Sequence, residues 1–522
     1  MQEERLEYYP CSNIEGLFDI NGVDWNDKSA PLKSIAEHAF DRLEANGLIV
    51  QRKVWDPDYF AEFNTFHSKV FQENQRLCTR LHFIKQNFPV KTPILDVIDS
   101  LTPKDYLGFM TIRPVQASPV GATILVPVQG KNHFLLSKDS FEVTLAGKTF
   151  TVSGTPFMQQ DNAVGACAQA SIWMALRTMR KKEGRSAHSP AKITTLATKY
   201  VVRGRTLPNR EGLNIEQMIE AVRSAGYAPS LLSLPKRIKK LKHQDKKLPK
   251  KRQQSVERRK VRLNKIRSIL YPYVESGIPV ILALEEKSEG HAVVLIGHGW
   301  DQNLDSSEHI LDGKGNDDRF IKAVSWAKPF FIHNDNSGPY QELDPFSIEG
   351  NGYSLESAIY AIPLFPNGVY MDAEEGEIAS NAAIKLVEQT AMAGYKDEYE
   401  GLGNDRIVLR TYLSNRHTFR KEAFESTICS KLKDFYRKME LPRKIWVTEI
   451  NTFNNYGDRS AHQTSRLGEV IIDATGNPED IPFLSVHLPG IFAIKKNLDN
   501  GYELDIELIK NDTPYQRRHR AT

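Results

Sequence analysis

The chain has 522 residues, too many for one ordinary core, which sets an expectation of roughly two to four domains. A hydrophobic share of 40% and an aromatic share of 9% exclude disorder as the default state. Lys and Arg number 69 against 65 Asp and Glu, so any affinity for nucleic acid or a membrane surface must come from a local patch rather than from the +4 balance.

The four cysteines, Cys11, Cys78, Cys167 and Cys429, lie far apart with no CxxC pair, which argues against a zinc knuckle or a disulfide framework and for a reducing compartment. The N-terminal stretch MQEERLEYYPCSNIEG has no apolar core of a signal peptide. No later apolar run approaches the roughly 18 residues that span a bilayer, so no membrane association is expected and the cytoplasm is the expected location.

Residues 1–104 read as mainly helical. Asp56-Pro57 is a helix start, because proline at the first helical position gives up only a donor that would be unpaired anyway. Behind it Tyr59, Phe63, Phe66, Val70, Leu77 and Leu81 recur at helical spacing, which would put Cys78 and His82 one turn apart, as packed helix residues rather than metal ligands. From Tyr106 the period shortens toward two. FEVTL and KTFTV flank Ala146-Gly147 as a β-hairpin.

Next comes FMQQDNAVGACAQASIWMALRTM. It sets Gln159 and Gln160 ahead of Cys167 and continues into Ile172, Leu176 and Met179, one face of a helix. A cysteine at a helix start meets free N–H groups and the positive end of the helix dipole, so its thiolate is expected to be accessible near neutral pH. LNIEQMIEAVRSAG is an amphipathic helix closed by Gly226. Residues 236–267 then carry sixteen Lys or Arg against only Asp245 and Glu257. With few aromatics among them they read as a solvated insertion, or else as a patch that docks an acidic partner or nucleic acid.

IPVILAL, HAVVLIGHGW, KPFFIHND and SAIYAIPLF are strands. Residues 367–522 form their own α/β or α+β module, with helices near 378–392 and 421–438 and strands near 407–413, 444–450, 469–474 and 483–494. Within it Arg410, Arg416 and His417 read as charge along an exposed strand edge.

Thiol acyl chemistry needs a nucleophile, a base, a group that orients the base, and donors for the developing oxyanion. The chain offers Cys167, then His291 where an apolar strand begins, then Asp335 at the end of FFIHND. Asp335 would reach the imidazole Nδ1–H. Its neighbours Asn334 and His333 are rivals, since alternation along a strand sends only one of Asn334 and Asp335 into a cleft. Gln160, or failing it Gln159, is the candidate oxyanion donor beside the backbone N–H of Cys167. No cofactor or metal is called for.

Taken together, Gln160 to Cys167 into a helix, GHAVVLIGHGW, and FIHND before NSGPY resemble the papain-like cysteine peptidases, nearest the branches that process bacteriocin leaders and the phytochelatin synthases. That resemblance covers about residues 140–365. It implies an α+β fold in which the helix bearing the cysteine packs on an antiparallel sheet, with Cys167 as nucleophile, His291 as base, Asp335 as orienting residue and Gln160 as oxyanion donor. Gln160 stands seven residues before the cysteine where six is usual, which keeps Gln159 open. The implied organisation is an N-terminal region (1–104), a papain-like unit (105–366) with a basic insertion (236–267), and an accessory domain (367–522).

The activity this implies is a cytoplasmic thiol hydrolase, a cysteine peptidase or an isopeptidase or amidase, acting on a peptide or protein through an acyl-enzyme. Two alternatives use the same residues differently. One is an acyltransferase that passes the acyl group to an amine. The other is a non-catalytic papain-like scaffold that binds an acidic partner or nucleic acid through the basic insertion.

Overall fold

A computed structural model describes residues 5–516 except 24, 70–74, 129, 131, 161–166, 201–211, 238–248, 287–288, 305–307, 312–318, 344–353, 397, 400, 404, 459–463, 477–481, 499–500 and 510–512. The fold is α+β, built on antiparallel sheets with helices against them.

The first sheet is a meander of β1 (Arg5–Pro10), β2 (Gly47–Val54), β3 (Cys78–Ile84), β4 (Tyr106–Ile112) and β5 (Val120–Leu125), paired in that order. Helices α1 (Ile14–Phe18), α2 (Ala30–Glu37), α3 (Pro57–Thr65) and α4 (Ile94–Ser100) fill its connections. The mainly helical reading of residues 1–104 is therefore corrected, and β4 and β5 complete a sheet begun before residue 104. Asp56 does cap α3, accepting from the N–H groups of Asp58 and Tyr59. Yet the helix stops at Thr65, and Cys78 and His82 fall on β3. At about 3.3 Å of rise per residue they stand about 13 Å apart. His82 is buried, bonded to the Tyr106 hydroxyl at 2.8 Å and to the Gln51 side chain at 3.2 Å. Pairing of β3 with β2 and β4 overrode the helical spacing that carries the expected helix on to Leu81.

After β6 (His133–Phe134), β7 (Asp139–Leu145) and β8 (Lys148–Gly154) form the expected hairpin. Leu145 pairs with Lys148, and Ala146 and Gly147 both take positive φ, the two-residue turn whose twist matches that of the strands. Then come α5 (Cys167–Lys182), α6 (Pro190–Ala197), α7 (Ile215–Ser224), β9 (Ala228–Pro229), β10 (Leu232–Ser233), α8 (Pro249–Glu275), β11 (Val280–Glu286) and β12 (Glu289–Gly299). β13 (Phe320–Lys322) leaves for the third sheet, and β14 (Phe330–Asn334), β15 (Gly338–Leu343) and β16 (Ala358–Phe365) finish the second. Its order is β10-β16-β11-β12-β14-β15, with β6 on β12 and β9 on β16. α5 lies on this sheet, and the Ser171 hydroxyl donates to the Ala292 carbonyl at 2.9 Å.

The third sheet runs β13-β17-β18-β19-β20-β21-β22 through β17 (Ile407–Asn415), β18 (Lys444–Thr452), β19 (Arg466–Asp473), β20 (Phe483–Leu488), β21 (Ile491–Leu498) and β22 (Gly501–Leu508). α9 (Ala373–Gly394) packs on it, accompanied by α10 (Arg416–Glu425), α11 (Ser430–Lys438) and the single turn α12 (Phe453–Tyr456). The one helix expected near 421–438 is two, broken at Ser426–Cys429. The one strand near 483–494 is two, turned at Gly490 with φ +83.

Several contacts tie the sheets together. α2 lies on β15, where Gly338 comes so close that an added Cβ would meet Ser34 Oγ at 2.2 Å. The His38 ring stacks on Tyr340 at 4.9 Å. On the other side Arg410 of β17, fully buried, bonds Glu275 of α8 and Glu449 of β18, so it is no exposed edge residue. The basic segment is likewise less free than its composition suggests, because from residue 249 it is helix α8. There Arg262 donates to the carbonyls of Pro235, Lys236, Glu356 and Ala358, Arg267 to those of Val324, Ser325 and Ala327, and Arg259 pairs with Glu356. Residues 238–248 of the segment lie outside the described residues.

Candidate active site

Cys167 is the first residue of α5, and Ser171 one turn on binds the helix to β12 at Ala292. The helix start that carries Cys167 therefore lies close to Ala292, and the backbone N–H groups of Ala292, Ala168 and Cys167 itself favour the thiolate. His291 precedes Ala292 on β12 and pairs with Leu284 of β11. The apolar run AVVLI beyond it is buried throughout, which holds the strand rigidly while the ring is 5% exposed.

The imidazole partner is Asn334 rather than Asp335. His291 Nε2 lies 2.9 Å from Asn334 Oδ1 and 3.6 Å from Asp335 Oδ1. Asn334 Oδ1 also accepts the backbone N–H of Asn336 at 3.0 Å. A backbone amide can only donate, so this oxygen is an acceptor and Nε2 of His291 carries the hydrogen. The basic lone pair is then on Nδ1, and orientation acts through Nε2 instead of the expected Nδ1–H. Strand alternation failed here because the register shifts between Ile332 and Asn334 and β14 ends at Asn334. Asp335 sits in the turn, where the pleat no longer dictates direction, and both side chains reach the ring.

Asp335 is fully buried, and its carboxylate oxygens have no hydrogen-bond partner among the described residues. Burial pushes its carboxyl well above the usual carboxylate range, and the nearby backbone N–H groups of Asp335 and Asn336 offset this only in part. The Cys167 thiol is pushed up to about 11, first by burial and then by the Asp335 charge, against the pull of the three backbone N–H groups. Burial also lowers His291, partly countered by its bond to Asn334. The resting pair is thus a neutral thiol and a neutral imidazole. The thiolate expected from the helix start does not prevail, because removing the sulfur from water outweighs a dipole worth about 0.3–1 kcal/mol.

The two glutamines separate. Gln159 is buried, its Oε1 accepting the Val120 N–H at 3.2 Å and its carbonyl the Arg113 guanidinium at 3.0 Å, with Arg113 in turn ion-paired to Glu62 of α3. Gln159 therefore fastens the chain to the first sheet. Gln160 is half-exposed and its amide donates to Asn336 Oδ1 at 2.9 Å, which brings it to the turn that carries Asn334 and Asp335. His333 points away from this group: it is buried against Phe157 and Tyr340, with Nδ1 3.2 Å from the Pro156 carbonyl.

The structure thus brings His291 to Asn334 and Asp335, Gln160 to the same turn through Asn336, and the helix of Cys167 against the strand of His291, while the side chains of Gln159 and His333 bond elsewhere. Asn336 was missed; its only signal was the dense run of turn formers in NDNSGP. No three His, Cys, Asp or Glu are placed to hold a metal among the described residues, and no described helix is long and apolar enough to cross a membrane. No family model matches the sequence, and no curated protein matches it.

Proposed function

We propose that the chain is a thiol hydrolase with a papain-like core, a cysteine peptidase, isopeptidase or amidase. The observation that carries this reading is the bond from His291 Nε2 to an acceptor-locked Asn334 beside a helix that begins with Cys167. It supplies a base with its lone pair on Nδ1, held by a strand against which the thiol is packed.

In the reaction His291 Nδ1 takes the thiol proton as Cys167 Sγ attacks the carbonyl carbon of an amide. The C=O pair moves onto oxygen, which faces the Gln160 amide and the N–H of Cys167. Collapse re-forms the carbonyl, breaks the C–N bond and sends the amine away with the proton held by His291. Water, deprotonated by His291, then cleaves the thioester and returns the thiol. A neutral resting pair suits this sequence, because the proton moves as the bond forms and no stable ion pair has to be desolvated. Asp335, neutral when protonated, backs the ring without competing for its proton.

The test is labelling by an amide-mimicking acyloxymethyl ketone. Wild-type protein should be modified at Cys167, with labelling lost in Cys167→Ala and reduced about 100-fold or more in His291→Ala. Equal labelling of the His291 variant would end the proposal.

A further inference from the structure

We infer that Asn336 is a positioning residue, one that aims the oxyanion donor of this site. The inference rests on the thiol-hydrolase reading and goes beyond it, because nothing in the nucleophile, base, orienting residue and oxyanion donor requires a fifth side chain.

Asn336 makes two bonds with different parts of itself. Its side-chain Oδ1 accepts from the Gln160 amide at 2.9 Å, across 176 residues of chain. Its backbone N–H donates to Asn334 Oδ1 at 3.0 Å, the same oxygen that meets His291 Nε2 at 2.9 Å. One residue therefore holds both the donor for the developing oxyanion and the group that orients the base. Among the described residues this is the side-chain bond that anchors Gln160: it lies at a solvent-exposed rim, with a half-exposed amide and an exposed partner, where a long side chain would otherwise sample several rotamers. The amide nitrogen has two hydrogens. With one given to Asn336 the second has a fixed direction, and a donor fixed before reaction is what stabilises a developing negative charge.

The division of labour between side chain and backbone makes the inference separable. Asn336→Ala deletes only the bond to Gln160. The backbone N–H on Asn334 remains, so His291 keeps its tautomer and orientation. Because Asn336 is exposed, the variant should fold as the parent does.

Two reagents read the two functions apart in the full-length protein. Iodoacetamide alkylates Cys167 by forming an S–C bond as the thiol proton passes to His291 and iodide leaves with the electron pair of the C–I bond, and no oxyanion develops. N-acetylaminoacetaldehyde adds Cys167 to its carbonyl: the S–C bond forms, the C=O pair moves to oxygen, and the thiol proton ends on that oxygen, so a donor is felt. Gln160→Ala should slow aldehyde addition by about 100-fold, and Asn336→Ala by about 10-fold through misplacement of the donor. Asn336→Asp, which keeps an oxygen at the bonding position, should recover most of the loss. The double variant Gln160→Ala, Asn336→Ala should be no slower than Gln160→Ala, since Asn336 acts through Gln160. The rate and pH profile of iodoacetamide alkylation should be the same in Asn336→Ala and wild type.

Wild-type aldehyde addition in Asn336→Ala, equal slowing of both reagents, or additive losses in the double variant would each overturn the inference while leaving the hydrolase reading intact. Alkylation of Cys167 that is indifferent to His291→Ala would overturn the reading and this inference with it.

Discussion

Cys167, half-buried, and Asp335, fully buried, are two acids that bear on each other's chemistry. Burial and the Asp335 charge hold the thiol up to about 11, so alkylation of Cys167 by iodoacetamide should climb with pH through the alkaline range instead of levelling off below neutrality. Asp335→Asn removes the second cause, and the midpoint of that profile should move to lower pH. Asp335 also governs stability. A carboxyl whose folded pKa is raised lends stability that is complete below the unfolded value, about 3.9, and that is lost as pH rises toward the folded value. Asp335→Asn escapes that loss. Thermal melts should show little difference from wild type in acid and a growing advantage for the variant from about pH 4 upward, reaching about 1–3 kcal/mol, the cost of an unsatisfied buried polar group. The places of Cys167 at a helix start and of His291 on an apolar strand were legible in sequence because each adjoins a strongly patterned element. The contest between Asn334 and Asp335 was not, because a register shift of one residue decides it.

Among the elements, the β14–β15 hairpin matters most, since its turn bears Asn334, Asp335 and Asn336. It is fixed from outside by α2. Gly338 has φ +133, and an added Cβ would meet Ser34 Oγ at 2.2 Å and Ser34 Cβ at 2.4 Å. Gly338→Ala should therefore cost about 1–3 kcal/mol in urea unfolding, and should slow iodoacetamide alkylation by shifting Asn334 from His291. Unaltered stability would show that α2 can yield without loss. The segments with local rules read correctly: the Ala146-Gly147 turn, and α7 with its capping box between Asn214 and Gln217. The helix drawn through Cys78 read wrongly: Tyr59 and Phe63 do lie on α3, but that helix ends at Thr65, and Cys78, Leu81 and His82 are held by strand pairing of β3 with β2 and β4.

Across the whole molecule, a buried charge cluster joins the sheet of the candidate site to the C-terminal sheet. Glu275 of α8 receives His298 Nε2 of β12 at 2.5 Å and the Arg410 guanidinium of β17, while Arg410 and Arg466 both meet Glu449. Arg410→Ala leaves Glu275 and Glu449 buried without their shared cation. It should lower stability by about 3–5 kcal/mol in urea unfolding, and the loss should appear in signals from both sheets. A transition confined to the C-terminal sheet would mean that the cluster does not couple them. The basic segment belongs to this scale too: Arg259, Arg262 and Arg267 are spent on internal partners, so a count of charges overstated what α8 offers to a partner.

By itself the sequence determined what acts over a few residues: the turn residues, the helix caps, the apolar strands and the residue types of the candidate site at their ends. Only the tertiary structure decided that Asn334 lies nearer to His291 than Asp335 does, that burial pushes the Cys167 thiol up, that Gln159 ties the chain to the first sheet while the Gln160 amide donates to Asn336, and that the Asn336 N–H meets Asn334. These turn on contacts across 43 and 176 residues of chain and on exclusion of water from the sulfur and the Asp335 carboxyl. Period and capping reach about one turn or one strand, whereas hydrogen-bond pairing and desolvation are properties of the assembled interior.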